Sequence, residues 1–330
     1  MNARKVLEMG GGTYLVSIPK AWAKKNGITK GATVSVEELS GRKLLLRPIE
    51  DVQEKPKEVV IEYPGEDLAQ VRNDLTGAYL LGYDVIRIQG RNVISREDRA
   101  GIKATMGRLV GLEIMDEDSK RMTVQFLLES SAIVPERIVR RMSGLLEGML
   151  RDTLEGLAKG DRKLLAIVGE RDDEVDRLYF LLVRATRDAI IRPGVAESYG
   201  LTPVDVLDYR VVASFLESVG DAVTELSKRL NASPTSKQAS RAYGSCVSRL
   251  IEMNELATKA FISRRAGRLG SPNLKVQSLA GEVNALIAEA SSRQGGEGSG
   301  VAEILGSLDR VSKLLVDVSD LAVITHATAQ

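Results

Sequence analysis

GGGTYLVSIPKAW, residues 10–22, decides how the first fifty or so residues fold. Gly10, Gly11 and Gly12 give freedom where a strand must turn or bulge. Tyr14, Leu15, Val16 and Ile18 then form a short strand rich in β-formers. Pro19 stops it, because proline brings no N–H to a ladder and suits the first turn of a helix. Ala21, Trp22, Lys24 and Lys25 give one or two helical turns, closed by Asn26-Gly27, a pair that tolerates positive φ. A second hairpin follows in Thr33, Val34, Ser35 and Val36, a turn at Ser40-Gly41, and Leu44, Leu45 and Leu46. About fifty such residues bury too little apolar surface to stand alone, so this segment is expected to dimerise.

The succession resembles the swapped-hairpin domain of the AbrB/SpoVT-type transcription factors, a family that includes MazE-like antitoxins. The resemblance rests on Arg4-Lys5-Val6, Val16-Ser17-Ile18-Pro19 and Lys24-Lys25-Asn26-Gly27-Ile28, and covers roughly residues 3–49. It implies an all-β barrel made by two chains exchanging hairpins. It also implies contact with double-stranded DNA through Arg4, Lys5, Lys24 and Lys25, with Lys20, Lys30, Arg42 and Lys43 widening the patch. Trp22 is expected to plug the barrel core.

Charge agrees with that assignment. The 330 residues carry a net +1. Residues 1–31 hold six basic side chains against Glu8 alone, a local +5 that leaves −4 for the remainder. A basic end on a slightly acidic body is the footprint of a chain that touches phosphates at one end. With few arginines here, affinity is expected to come from the DNA backbone and its shape. Aromatic residues are only 4%, which argues against stacking surfaces for single-stranded nucleic acid or carbohydrate. Cys246 is the single cysteine, so no intrachain disulfide can form. No signal segment and no run of about eighteen apolar residues is visible, so a cytoplasmic protein without membrane insertion is expected.

Residues 50–57, Glu50 to Lys57, are charged, contain Pro56 and show no periodicity, and they read as a linker. Residues 58–130 then follow a βαβαββ pattern. Strands are expected around Val59–Ile61 and Val85–Ile88, a turn at Pro64-Gly65, and a helix over 66–81 stopped by Gly82. A second helix over about 96–110 is capped by Ser95, with Asp98 three residues on. A final hairpin turns at Asp118-Ser119. The order suggests a small sheet with two helices on one face, serving as a spacer or dimerisation module or as a small-ligand sensor.

From Pro135 the pattern is nearly all helical. Ile138, Met142, Leu145, Leu146, Met149, Thr153 and Leu157 keep the three-and-four spacing of a buried face. Gly160-Asp161 breaks that helix. A second carries Leu164, Val168, Val175, Tyr179 and Leu182 and ends at Arg192-Pro193-Gly194. A third carries Val204, Asp208, Val211, Phe215, Val219, Ala222 and Leu226. After Asn231-Ala232-Ser233-Pro234 three more helices follow, over about 236–266, 274–293 and 301–327, so residues 135–230 and 235–330 form a tandem repeat of three-helix bundles. Leu216-Glu217-Ser218-Val219-Gly220-Asp221 corresponds to Leu315-Val316-Asp317-Val318-Ser319-Asp320, and Asp173-Glu174-Val175-Asp176 to Gly281-Glu282-Val283-Asn284.

At these residues the chain resembles the PhoU family of phosphate-uptake regulators, and the whole arrangement resembles archaeal phosphate uptake regulators with an AbrB-like head. The resemblance implies a metal motif, a carboxylate pair four apart on each of two helices. Asp172 with Asp176, and Glu217 with Asp221, keep it. Ala280 with Asn284, and Val316 with Asp320, have lost it. Spacing i, i+4 puts each pair on one helix face, and four oxygen donors suit a divalent metal or iron. With Phe215 as the centre of its apolar stripe, Glu217 and Asp221 fall opposite it and Asp172 and Asp176 flank theirs. A metal would then sit on the bundle surface.

An enzyme is not expected: His326 is the single histidine, Cys246 sits in a helix of buried small residues, and no P-loop or nucleophile elbow occurs. The expected function is a homodimeric DNA-binding transcriptional regulator of phosphate uptake, with the helical body as sensor or docking module. A signalling adaptor acting on a phosphate transporter or its sensor protein is the alternative. A nucleoid-associated or antitoxin-like protein is a third, and the large folded body argues against the antitoxin.

Overall fold

The computed structural model describes residues 3–39, 43–48, 56–63, 67–129, 132–232, 236–263, 271–293 and 299–322. The expected turns at Ser40-Gly41 and Pro64-Gly65, most of the 50–57 linker, and His326 lie outside them. Two compact units are present, Met1–Pro56 and Lys57–Gln330.

In the first unit β1 (Val6–Met9) and β2 (Thr13–Val16) form an antiparallel hairpin in which Leu7 faces Leu15. Gly11 and Gly12 turn it at φ 101° and 87°, which side chains resist. Pro19 precedes α1 (Lys20–Lys25), whose last turn is closed by Asn26, its Nδ2 donating to the Trp22 carbonyl at 2.8 Å. A second antiparallel hairpin pairs β3 (Val34–Leu39) with β4 (Lys43–Pro48). Every residue of β1 and β2 is exposed, with Val6, Leu7, Tyr14 and Leu44 each at 60% or more. No described residue of the unit is buried, and Trp22 is only half-buried. Two apolar hairpins without a core are half of a packing problem.

The second unit opens with a four-stranded sheet of β5 (Glu58–Tyr63), β6 (Val85–Gly90), β7 (Leu112–Glu117) and β8 (Arg121–Phe126), ordered β5-β6-β8-β7. The β5–β6 pair is parallel and the others antiparallel, as the crossover through α2 (Leu68–Leu80) requires. Ser95 caps α3 (Arg96–Gly107), its Oγ accepting from the Asp98 N–H at 3.0 Å. Strand alternation puts Ile61, Ile86, Ile88, Met122 and Val124 under both helices, against Val71, Leu75, Tyr79 and Ile102. Glu58, Val60, Glu62, Arg87 and Gln89 occupy the open face.

The helical part begins with α4 (Pro135–Lys159), which ends at Gly160 in the left-handed region, φ 66°. Asp161 caps α5 (Arg162–Ile167), and a 3-10 turn over Val168–Arg171 leads into α6 (Asp172–Ile191). The expected second helix is therefore broken just before its acidic stretch. Pro193 ends α6 and also starts α7 (Pro193–Ser198), since proline fits the first helical turn. Then come α8 (Pro203–Ala232), α9 (Lys237–Ser263), α10 (Ser271–Arg293) and α11 (Ser299–Asp320). Helices α4, α6 and α8 pack together, as do α9, α10 and α11, and one core runs through both sets across the α4–α9 and α8–α11 seams. Cys246 lies inside that core, where burial pushes its thiol up to about 11 and leaves it inert. No helix among the described residues is long and apolar enough to cross a membrane.

Sheet and bundle meet along α6. Arg184, only 4% exposed, donates from Nη1 to the carbonyls of Tyr79 at 2.6 Å and Tyr83 at 3.0 Å. Its guanidinium lies 3.8 Å from the Phe126 ring centroid, and Nη2 stands 3.5 Å from Asp84. A buried charge needs such a set of acceptors, and a planar guanidinium can use carbonyls, a ring and a carboxylate together.

Candidate nucleic-acid face and acidic cluster

Of the basic positions expected to meet DNA, the five Arg4, Lys5, Lys20, Lys24 and Lys25 all belong to the first unit and are exposed. Arg4 and Lys5 lie on the chain entering β1, and Lys20, Lys24 and Lys25 are on α1. Lys20 and Lys24 share a helix face by their spacing. Lys24 and Lys25 stand in the last turn, where the helix dipole favours a cation. No described acidic residue pairs with any of the five. The side chains of Arg42 and Lys43 lie outside the described residues.

The four acidic positions come from two neighbouring helices. Asp172 opens α6 and Asp176 stands one turn on; Glu217 and Asp221 face them from α8. The fully buried stripe of α8 is Val212, Leu216, Val219, Val223 and Leu226, while Phe215 is only partly buried. That phase corrects the one taken from Phe215: Glu217 moves from the opposite face to the flank of the stripe, half-buried, and of the four only Asp221 is exposed. Asp172 goes furthest inward. Its Oδ1 is buried without a hydrogen-bond partner and occupies the space a side chain at Gly220 would need, 2.5 Å from a Cβ built there.

Electrostatics follow from that placement. Burial, then the charges of Asp221, Asp176 and Glu217, push Asp172 up from 3.8 to about 6, with Thr224 offsetting part of the rise. Burial and Asp221 also raise Glu217. Burial raises Asp176 against the opposing pull of Arg108. Arg108, the capping residue at the C-terminal end of α3, places Nη2 2.5 Å from Asp176 Oδ2 and its guanidinium 5.7 Å from the Phe180 ring. Sequence periodicity gives no sign of Arg108 or Arg184, because each contacts residues far away along the chain.

The donor chemistry, four carboxylates and one orphaned oxygen, is that of a hard-cation site. The geometry is not. Among the described residues no three acidic, histidine or cysteine groups gather closely enough to hold a metal ion. In this arrangement the residues do not fit a metal; among the described residues Arg108 is ion-paired to Asp176, and the Arg210 charge pulls against the rise at Glu217. In the second repeat Asp320 accepts from Asn273 Nδ2 at 3.1 Å and is used structurally.

Residues 139–230 match the family model of the PhoU domain, and residues 9–54 match that of the antidote-toxin recognition protein MazE, a bacterial antitoxin. The chain joins a MazE/AbrB-like segment to a PhoU domain. The PhoU match spans all four acidic positions on α6 and α8. The MazE match takes in the three lysines of α1 but begins after Arg4 and Lys5. The crystal structure of PhoU from Pseudomonas aeruginosa is similar at 19% identity, covering 57% of this chain and 93% of that one, with a TM-score of 0.47. No curated protein matches.

Proposed function

We propose that the chain is a homodimeric, DNA-binding transcriptional regulator of phosphate uptake. Its first unit reads duplex DNA, and its PhoU domain senses status or docks a partner. The observation that carries this reading is a basic unit with exposed apolar hairpins and no buried described residue, which needs a second copy to gain a core. The cations on α1 and before β1, which no described acidic residue pairs with, supply the phosphate attraction. The MazE and PhoU matches support the two halves of the reading.

The test is binding to a labelled duplex pool at about 50 and about 200 mM salt, beside a variant lacking residues 1–50. Tight, salt-sensitive binding that disappears with the truncation is expected, and the enriched sequences then name the operator. Absence of binding by a full-length dimer refutes the reading and favours an adaptor that acts on a phosphate transporter or its sensor.

A further inference from the structure

The side of α6 that faces the sheet carries Asp176, Phe180 and Arg184, four residues apart and therefore in one line. Each of the three contacts the 57–129 segment. Arg184 holds the Tyr79 and Tyr83 carbonyls, Phe180 lies 5.7 Å from the Arg108 guanidinium, and Asp176 is ion-paired to Arg108. The acidic cluster is thus the end of the sheet–bundle interface and not a free stretch of helix surface. Arg108 reaches it from the C-cap position just after α3, where the chain leaves the helix through Leu109 and Val110 toward Gly111 at φ 83°. Val110 is itself held, its carbonyl accepting from the Tyr79 hydroxyl at 2.9 Å. Backbone on one side and Phe180 on the other therefore aim the guanidinium at Asp176.

We propose that Arg108 is the resident cation of the acidic cluster, so that the sheet segment occupies by its own side chain the place a divalent ion would take. The cluster then works as a docking point between sheet and bundle, and an ion enters only when Arg108 withdraws. The geometry supports this in two ways: Arg108 engages Asp176, one of the four oxygen donors, and among the described residues no three donors gather closely enough to hold an ion while it does so. Asp172 Oδ1, buried and unpartnered, is the donor left without a cation by this substitution. The inference does not depend on DNA binding by the first unit.

The experiment is Mn2+ binding to the full-length protein, followed by the loss of free-ion electron paramagnetic resonance signal. The proteins compared are wild type, Arg108→Gln, Arg108→Lys and Arg108→Gln with Asp172→Asn. Arg108 is half-exposed, so its replacement leaves the core intact, and unchanged thermal unfolding confirms that. Arg108→Gln is expected to bind Mn2+ about tenfold more tightly than wild type, the effect of removing one positive charge from a partly screened site. Arg108→Lys keeps the charge and should stay near wild type. The double variant should lose the gain, which assigns the ion to the cluster. Equal affinity of wild type and Arg108→Gln, whether tight or undetectable, overturns the proposal, as does a gain that survives Asp172→Asn.

Discussion

Arg184 and Tyr79 stand 105 positions apart in the chain, yet the Arg184 guanidinium donates to the Tyr79 carbonyl at 2.6 Å inside a closed interface. Replacing Arg184 with Met keeps its apolar reach and removes every donor. The Tyr79 and Tyr83 carbonyls and Asp84 then lose the guanidinium, although Gly82 N–H still serves Tyr79 and Lys57 N–H still serves Asp84, and a loss of about 2–3 kcal/mol in the urea unfolding of the second unit is expected. Arg184→Lys should recover little, since an ammonium cannot serve both carbonyls and stack on Phe126.

Gly220 on α8 lies against Asp172 at the start of α6. Ala at this position would put a methyl 2.5 Å from Asp172 Oδ1 and 3.5 Å from Leu146 Cδ2. Helix propensity favours Ala, but the clash should dominate and destabilise by about 1–3 kcal/mol. Asp172→Ala in the same chain removes the obstacle, so a double-mutant cycle by chemical denaturation should show strong positive coupling.

Asp172 also predicts a pH dependence. Its folded pKa of about 6 lies above the ordinary 3.8, so the native state holds that proton more tightly than the unfolded chain. Stability from this group is therefore present at low pH and declines as pH rises from about 4 to about 6. Asp172→Asn removes the decline. The variant should be more stable than wild type by about 1–2 kcal/mol above pH 7, after discounting for its partial exposure, and the two should converge near pH 4. A constant difference across that range would contradict the assignment.

Leu44 is 69% exposed and loses nothing in an isolated chain when it becomes Glu. In a dimer that buries it, two copies of an unpaired carboxylate enter one core. Leu44→Glu is expected to weaken dimerisation more than a hundredfold by analytical ultracentrifugation, while the unfolding of residues 57–330 stays unchanged.

Lys24→Ala and Lys25→Ala should weaken binding to all duplexes alike. Each should lower the salt slope by roughly 0.9 per phosphate contact removed. A loss confined to one sequence would instead point to base contact.

Much of this architecture could be read from local patterns. Ser95, Gly160, Asp161 and Pro193 mark helix ends through cap and turn chemistry that acts within four residues, and each does so in the structure. The stripe beginning at Ile138 is buried along α4 except at Leu145, which is partly buried, because its period survives packing from several sides. The phase of α8 was less legible. Packed between α4, α6 and α11, it buries more than one stripe, so a centre chosen at Phe215 is a turn-fraction off. The α6 contacts to Tyr79, Tyr83 and Arg108 leave no sequence signal, because a lone arginine on a charged helix looks the same whether it meets water or a carbonyl.

The first unit has no buried described residue and the second has packed cores of its own, so the two answer differently to dilution. Residues 57–330 unfold at a temperature set by their own packing. Where residues 1–56 take their core from a second copy, their order depends on how much protein is present. Abundance then becomes an input: below a threshold copy number the body persists folded while the head loses its shape, and the chain counts itself before it acts.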